Sequence, residues 1–267
     1  MPGMTHDAKS STLVALVTGS SRGIGRVIAT QLAERGVRIA LHYHNNHPAA
    51  NDALAHLAGT GHALFAADLA DPAATTRLWQ QVIERFGGVD VLVNNAGLYV
   101  EHAPLSTRYD SWQSVWQATL AANLVGPANL SLLAAQRMAA RADAVDAAFG
   151  RGRLVNISSR GAFRGEPDCP AYAASKAGLN ALSQSLAKAL APRSIHVYCV
   201  APGWVETEMA ASHLTGPDGA AILAQHPLGR VNRSHEVAQA AVYCALDAPA
   251  AMTGCIIDVN GASYLRT

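Results

Sequence analysis

The sequence predicts an α/β fold: one doubly wound sheet of seven mainly parallel strands with helices on both faces. Two observations carry this. Apolar runs alternate with segments of helical period from end to end, as they do where strand–helix crossovers build a parallel sheet. The runs themselves are nearly continuous in apolar residues, as strands covered on both faces require. The chain has 267 residues with no linker, repeat or low-complexity tract. It is read as a flexible leader over 1–11 and one domain over 12–267. The leader, MPGMTHDAKS and the residue after it, lacks the apolar core of a signal peptide.

The first strand spans Thr12–Thr18 and runs through a glycine-rich turn into a helix over 24–35. The second, Val37–Tyr43, precedes a helix over 48–58. The third, His62–Ala66, precedes a helix over 72–87 that begins at proline, the favoured first helical position. The fourth, Val89–Asn94, leads to a long helix over 108–140. The fifth, Arg153–Ser158, precedes a helix over 172–191, the sixth, Ile195–Val200, a helix over 234–247, and Cys255–Val259 ends the set. Two stretches interrupt the rhythm. Residues 141–152 lengthen the link into the fifth strand. Residues 203–228 follow the C-terminal end of the sixth, the edge at which open α/β sheets bind ligands, and are read as a lid.

Composition excludes several classes. Net charge is +1, and no basic face gives a reason to propose nucleic acid or an anionic membrane as partner. No apolar run reaches the length of a membrane span. Cys169, Cys199, Cys244 and Cys255 form no CxxC pair and are read as reduced, mostly buried thiols of a cytoplasmic protein. His42 and His44 could share a strand face, but no cysteine or carboxylate nearby completes a metal-ligand spacing, so no metal is expected.

Gly19, Gly23 and Gly25 follow the first strand directly. Glycine permits positive φ and lets backbone approach a ligand, and a helix starting at Ile24 offers free N–H groups to a phosphate. The alternative is a plain tight turn. A dinucleotide with a free ribose 2′-hydroxyl calls for Asp or Glu at the end of the second strand. No acid occurs between Glu34 and Asp52. Tyr43 or His44 takes that position, with Asn45 and Asn46 next and Arg22 in the glycine turn on the same side. A cation and neutral donors favour a 2′-phosphate, hence NADP(H).

The motifs, taken in order, resemble the classical short-chain dehydrogenase/reductase family from about residue 12 to 264. They are TGSSRGIG (18–25), Asp68-Leu69 after the third strand, NNAG (94–97), Asn123 in a long helix, Ser159 after the fifth strand, and Tyr172-x-x-x-Lys176. Pro202-Gly203 and Thr207 follow. Residues 219–261 are most similar to the 3-oxoacyl-[acyl-carrier-protein] reductases of that family. The resemblance implies a Rossmann-type fold. It implies cofactor contacts from Gly19, Ser21, Arg22, Gly23, Ile24, Gly25, His44, Asp68, Leu69, Asn95, Ala96, Gly97, Pro202, Gly203, Val205 and Thr207. It also implies that Tyr172 is the general acid/base and that Ser159, with Ser158 as its neighbouring alternative, binds the carbonyl oxygen. Lys176 would hold the nicotinamide ribose, and Asn123 would fix a water in a proton relay.

The residues themselves give Tyr172 and Lys176 weight. Positions i and i+4 are neighbours on a helix, and only three lysines stand against seventeen arginines here. Chance gives roughly 0.08 such Tyr–Lys pairs in a chain of this composition. A free tyrosine releases its proton near pH 10, and a fixed cation beside it is expected to lower that value.

The expected activity is NADPH-dependent reduction of a ketone to a secondary alcohol, most like that of a 3-oxoacyl thioester reductase. An NAD(P)-dependent dehydrogenase of a sugar, steroid or other small secondary alcohol is the alternative, and a catalytically silent NADP-binding regulator a third. The family resemblance also implies a homotetramer built on the helices 108–140 and 172–191. Leu98–Pro104, Gly161–Cys169 and the lid are the expected substrate walls.

Overall fold

The computed structural model of the protein describes residues 13–266. The expected leader lies outside them. Seven parallel strands form one sheet: β1 (Val14–Val17), β2 (Arg38–Tyr43), β3 (Ala63–Ala66), β4 (Val91–Asn94), β5 (Gly152–Ile157), β6 (Ile195–Pro202) and, after a short pair, β9 (Ile256–Val259). They are ordered β3-β2-β1-β4-β5-β6-β9. The short pair, β7 (Val205–Glu206) and β8 (Asn232–Arg233), forms a separate parallel ladder. The expected mixture of strand directions resolves as wholly parallel in the main sheet.

Helices cover both faces. They are α1 (Gly23–Glu34), α2 (His47–Ala55), α3 (Pro72–Phe86), α4 (Tyr109–Leu120), α5 (Gly126–Ala139), α6 (Gly161–Arg164), α7 (Pro170–Leu190), α8 (Glu208–Thr215), α9 (Gly219–Ala224) and α10 (Ser234–Val242). Within β1, Ala15 and Val17 face one apolar cluster, with α1 and α10, while Leu16 faces the other, with α3 and α5. Leu92 alternates with Val91 and Val93 in the same way. Period-two alternation with both faces apolar is why these strands read as unbroken apolar runs. Local caps fix several helix ends. Asn46 accepts from Ala49 N at 3.1 Å, and Asp71 from Ala73 N at 2.8 Å. Gly87 ends α3 at φ 78°, a conformation that favours glycine.

The sequence departs from the structure in three places. The expected helix 108–140 is interrupted at Ala121–Val125 by a π-helical turn. The stretch Tyr109–Ala139 is long and apolar enough to cross a membrane by length and composition, contrary to the sequence expectation. Its Leu130, Ala134 and Met138 are instead packed into the core. The lid carries β7, α8 and α9, too short for periodicity to reveal.

The loop 141–152 is anchored from three sides. Arg153, 2% exposed, donates to the carbonyls of Ala148, Phe149 and Cys244. Arg141 pairs with Asp90 at 2.6 Å, and Arg151 donates to the Arg141 carbonyl. Cys169, Cys199 and Cys244 are buried and Cys255 partly so, all as free thiols.

Candidate active site

The order β3-β2-β1-β4 reverses the direction of winding between β1 and β4, and a crevice opens there at the carboxyl ends of the strands. A cavity of about 460 Å³ occupies it. At one end lies the glycine turn. Gly19 has φ +62° and Gly23 φ +55°, and a Cβ on Gly19 would lie 2.9 Å from Ala96 Cα. A Cβ on Gly25 would collide with Asn95 Nδ2 and Gly19 O. The three glycines thus have different reasons: two for backbone conformation, one for close packing. No side chain caps the N-terminus of α1, which leaves its first-turn amides for a ligand.

His42 holds this turn from beneath. It is 1% exposed, on the strand face that the sequence reading gave it. Its Nδ1 accepts from Gly19 N at 3.1 Å, and its Nε2 lies 3.1 Å from Ala67 O. An acceptor at Nδ1 requires the proton at Nε2, so the ring bridges the turn to the end of β3 as neutral imidazole. Burial pushes it down to about 4. Sequence reasoning missed this role, because neither partner is close in the chain. Asn95 adds a second staple, donating to Thr18 O and Gly19 O.

Beyond the end of β2, the cavity is lined by His44, Asn45 and Asn46, with Arg22 across from them. No carboxylate occupies the end of β2. Two acids stand close by. Arg22 Nη1 binds Glu208 Oε2 at 3.1 Å, and His44 Nε2 lies 3.9 Å from Asp68 Oδ2. Asp68 also accepts from Ala70 N.

At the other end, Ser159, Tyr172 and Lys176 border one space with Tyr99 and Trp204. β5 delivers Ser159, and α7 delivers the other two. Ser158 and Ser159 part company here. Ser158 is buried and donates to the Lys176 carbonyl at 3.4 Å, whereas Ser159 Oγ accepts from Gly161 N at 3.0 Å at the cavity wall. Lys176, 3% exposed, donates to Ile157 O at 2.8 Å. Its ammonium lies 5.7 Å from the Tyr172 ring centre. Tyr99 meets the Tyr172 ring edge-on at 4.9 Å, and Trp204 and His213 also meet Tyr99 edge-on. His213 of α8 is 3.3 Å from Glu101, which ties the lid to the 98–104 wall.

The electrostatics differ from the sequence expectation. Tyr172 is pushed up to about 12 by burial, with the hydrogen bond to Ser159 pulling the other way. The expected lowering by Lys176 is absent. Burial in turn pushes Lys176 down to about 8. Desolvation disfavours a phenolate and an ammonium alike, and at this separation it outweighs their attraction. Cys169 is also pushed up, to about 11, mainly by burial, so at neutral pH it is a thiol and not a reactive thiolate.

Of the other expected residues, Ser21, Ile24, Ala96, Gly97, Pro202, Gly203, Val205 and Thr207 border the cavity. Thr207 lies over the turn, its Cγ2 3.6 Å from where a Gly23 Cβ would be. Gly25, Asp68, Leu69 and Asn123 do not border it. The Leu69 side chain is buried in the core. Asn123 is fully buried in the π turn. Its Nδ2 donates to Leu98 O and Ser175 Oγ, and its Oδ1 accepts from Leu98 N at 2.7 Å. The amide is thereby committed to holding the 97–98 turn against α7, beside Lys176. Irregular helical turns recur at functional sites.

A family model described as enoyl-(acyl carrier protein) reductase matches residues 19–262. The 3-oxoacyl-[acyl-carrier-protein] reductase of Escherichia coli K12 is 35% identical over 254 residues, 94% of this chain and 97% of its own. That of Staphylococcus aureus Mu50 is 34% identical over 256 residues, 95% and 99% of the two chains. That of Vibrio cholerae is 32% identical over 252 residues, 94% and 97%.

Proposed function

The chain belongs to the short-chain dehydrogenase/reductase family, an oxidoreductase family that uses a nicotinamide cofactor, and we propose that it reduces the ketone of a 3-oxoacyl thioester with NADPH. One observation carries the reading. A protonated Tyr172, Ser159 and Lys176 border the same cavity as an uncapped helix start and a β2 end without a carboxylate. The curated relatives above are 3-oxoacyl reductases by name, which supports this substrate class over an enoyl substrate. A tyrosine that keeps its proton suits donation to an alkoxide, so reduction is favoured over the oxidation of a secondary alcohol.

The residues fit the dinucleotide. Gly19, Ser21, Gly23 and the α1 amides would hold its pyrophosphate, with Thr207 covering them. Arg22, His44, Asn45 and Asn46 would take the 2′-phosphate. Asp68, beside His44, would meet the adenine amine, and Asn95 to Gly97 the adenosine ribose. Pro202, Gly203 and Val205 would border the carboxamide. The nicotinamide, when bound, supplies the hydride. Ser159 Oγ would donate to the carbonyl oxygen as charge develops there. Tyr172 would give its phenolic proton to that oxygen. Lys176, swung from Ile157 O, would hold the ribose hydroxyls and later stabilise the phenolate. Asn123 fixes the turn that carries Gly97 and Leu98.

The assembly is proposed as a homotetramer and the location as cytoplasmic. Turnover of NADPH by the purified protein with acetoacetyl-coenzyme A, sugars, steroids and pterins tests the reading. A rate confined to the thioester supports it. Preference for a sugar or steroid, or tighter binding of NADH than NADPH, overturns it, as does tight NADPH binding with no turnover at all.

A further inference from the structure

α7 carries Tyr172 and Lys176, and its first turn is poorly provided for by its own sequence. Cys169 at the N-cap makes no side-chain cap bond, and Pro170 at the first helical position has no N–H. Ala171 therefore holds the first amide of the helix, and Tyr172 is the very next residue. Uncapped first turns fray, because their amides have no partner within the helix.

The missing partner comes from 69 residues earlier. His102 Nε2 accepts from Ala171 N at 3.1 Å. Its Nδ1 lies 2.8 Å from Val100 O, and its own backbone N–H donates to Asp168 O at 2.8 Å. The Nε2 acceptor requires the ring proton at Nδ1, where it donates to Val100 O, so the two contacts fix a single neutral tautomer. The side chain is 2% exposed. Trp112 and Trp116 of α4 meet it edge-on, with ring centres at 5.3 and 6.5 Å, which sets the ring plane. Asp168 and Ala171 flank the Cys169-Pro170 step, so His102 spans the joint at which the loop becomes helix.

We infer that His102 is a positioning residue for Tyr172: it supplies the cap that α7 lacks and so fixes the phenol against Ser159 and the carbonyl it would protonate. This rests on the reading of Tyr172 as proton donor. The 98–104 wall thereby does two things at once. Tyr99 packs on the Tyr172 ring, and His102 holds the backbone beneath it.

Two polar variants separate this role from plain stability. His102→Gln places an amide oxygen where Nε2 stood and can still accept from Ala171. His102→Asn reaches only to the Nδ1 position, so it keeps a donor for Val100 and loses the Ala171 acceptor. With NADPH and acetoacetyl-coenzyme A, His102→Asn is expected to lower kcat on the order of tenfold, as misplaced reacting groups do. The NADPH Kd should stay within about twofold, and the solvent deuterium isotope effect on kcat should rise. His102→Gln should keep kcat near the parent value. Amide hydrogen exchange in the 169–176 segment should accelerate in the Asn variant alone, a readout that needs no turnover. Equal kcat and equal exchange in the two variants, with or without a lower Tm, overturn the inference. If the Asn variant does not fold, a Gln variant with lowered kcat and faster exchange overturns it, and one matching the parent supports it. Tyr172→Phe is the control. If that variant keeps full turnover, the functional reading fails. If it is inactive while His102→Asn behaves as the parent, only the positioning role fails.

Discussion

The Arg22 guanidinium is bound to the Glu208 carboxylate at 3.1 Å, so the cation of the glycine turn is joined to the first turn of the lid helix. Both side chains are more than half exposed, and an exposed pair of this kind contributes little to stability. Its effect falls on the ligand that needs the same cation. Glu208→Gln is expected to tighten NADPH binding about two- to fivefold, in line with the strength of such a pair, while leaving NADH affinity and Tm unchanged. Fluorescence titration of both dinucleotides checks this. Equal changes for the two would remove Arg22 from 2′-phosphate recognition.

The pair Tyr172 and Lys176 gives a pH dependence with a definite sign. Lys176 is held down to about 8 and Tyr172 up to about 12. The ammonium is therefore lost as pH rises through about 8, while the phenol keeps its proton. kcat/KM for ketone reduction by the purified protein should fall above about pH 8 with the loss of one charge. Lys176→Arg, always charged, should lose that limb along with most of its activity. An alkaline profile unchanged in Lys176→Arg would assign the limb elsewhere. Burying the ammonium also costs stability below about pH 8, a cost relieved as pH rises toward 10.5.

His42 predicts the opposite end of the pH range. Its folded value of about 4 lies below the ordinary 6.5. Its contribution to stability is thus fully present above pH 6.5 and is lost as pH falls through 4. Over that window the unfolded chain gains about 3 kcal/mol from this group, from the size of the displacement. Tm should drop between pH 6.5 and 4 in the parent and less in His42→Asn. Parallel Tm profiles would mean that another group carries the acid transition.

Gly25 is expected to tolerate no side chain. The alanine Cβ would strike Asn95 Nδ2 and Gly19 O, displacing the staple that shapes the turn. Overpacking of this kind costs about 1–3 kcal/mol, enough to weaken dinucleotide binding on the order of tenfold. Gly36 is constrained differently: a Cβ there meets nothing within 4 Å, but its φ of +80° favours glycine. Calorimetric titration of Gly25→Ala with NADPH measures the effect, and parental affinity would mean that the turn is softer than its contacts imply.

Asn123→Ala should leave the Leu98 N–H and C=O without their partner. A buried amide left unpaired costs about 1–3 kcal/mol and a partly buried one less, so Tm should fall modestly. Turnover should fall further than the loss of folded protein explains, because Gly97 and Lys176 share that corner. A Tm loss with parental kcat would leave Asn123 a purely structural role.

The strands were legible because both faces of the sheet are apolar, and each run could be located within a few residues. The glycine turn and the Tyr172–Lys176 spacing were legible because their geometry is local: a turn, and one turn of helix. Leu69 and Asn123 were legible as motif positions and not as environments. One proved to be core, and the other sits in a π turn that no periodicity marks. The lid was recognised as an interruption, but its helices are too short to show a face.

Sequence alone decided the order of strands and helices and the residue types brought to the strand ends, since these depend on neighbours a few positions apart. Tertiary structure decided what those residues experience. Tyr172 keeps its proton because burial outweighs a cation 5.7 Å from its ring centre. Its helix is capped by a histidine 69 positions away, and the glycine turn rests on one 23 positions away. Desolvation and long-range hydrogen bonds depend on which segments the fold packs together, and periodicity along the chain does not encode that.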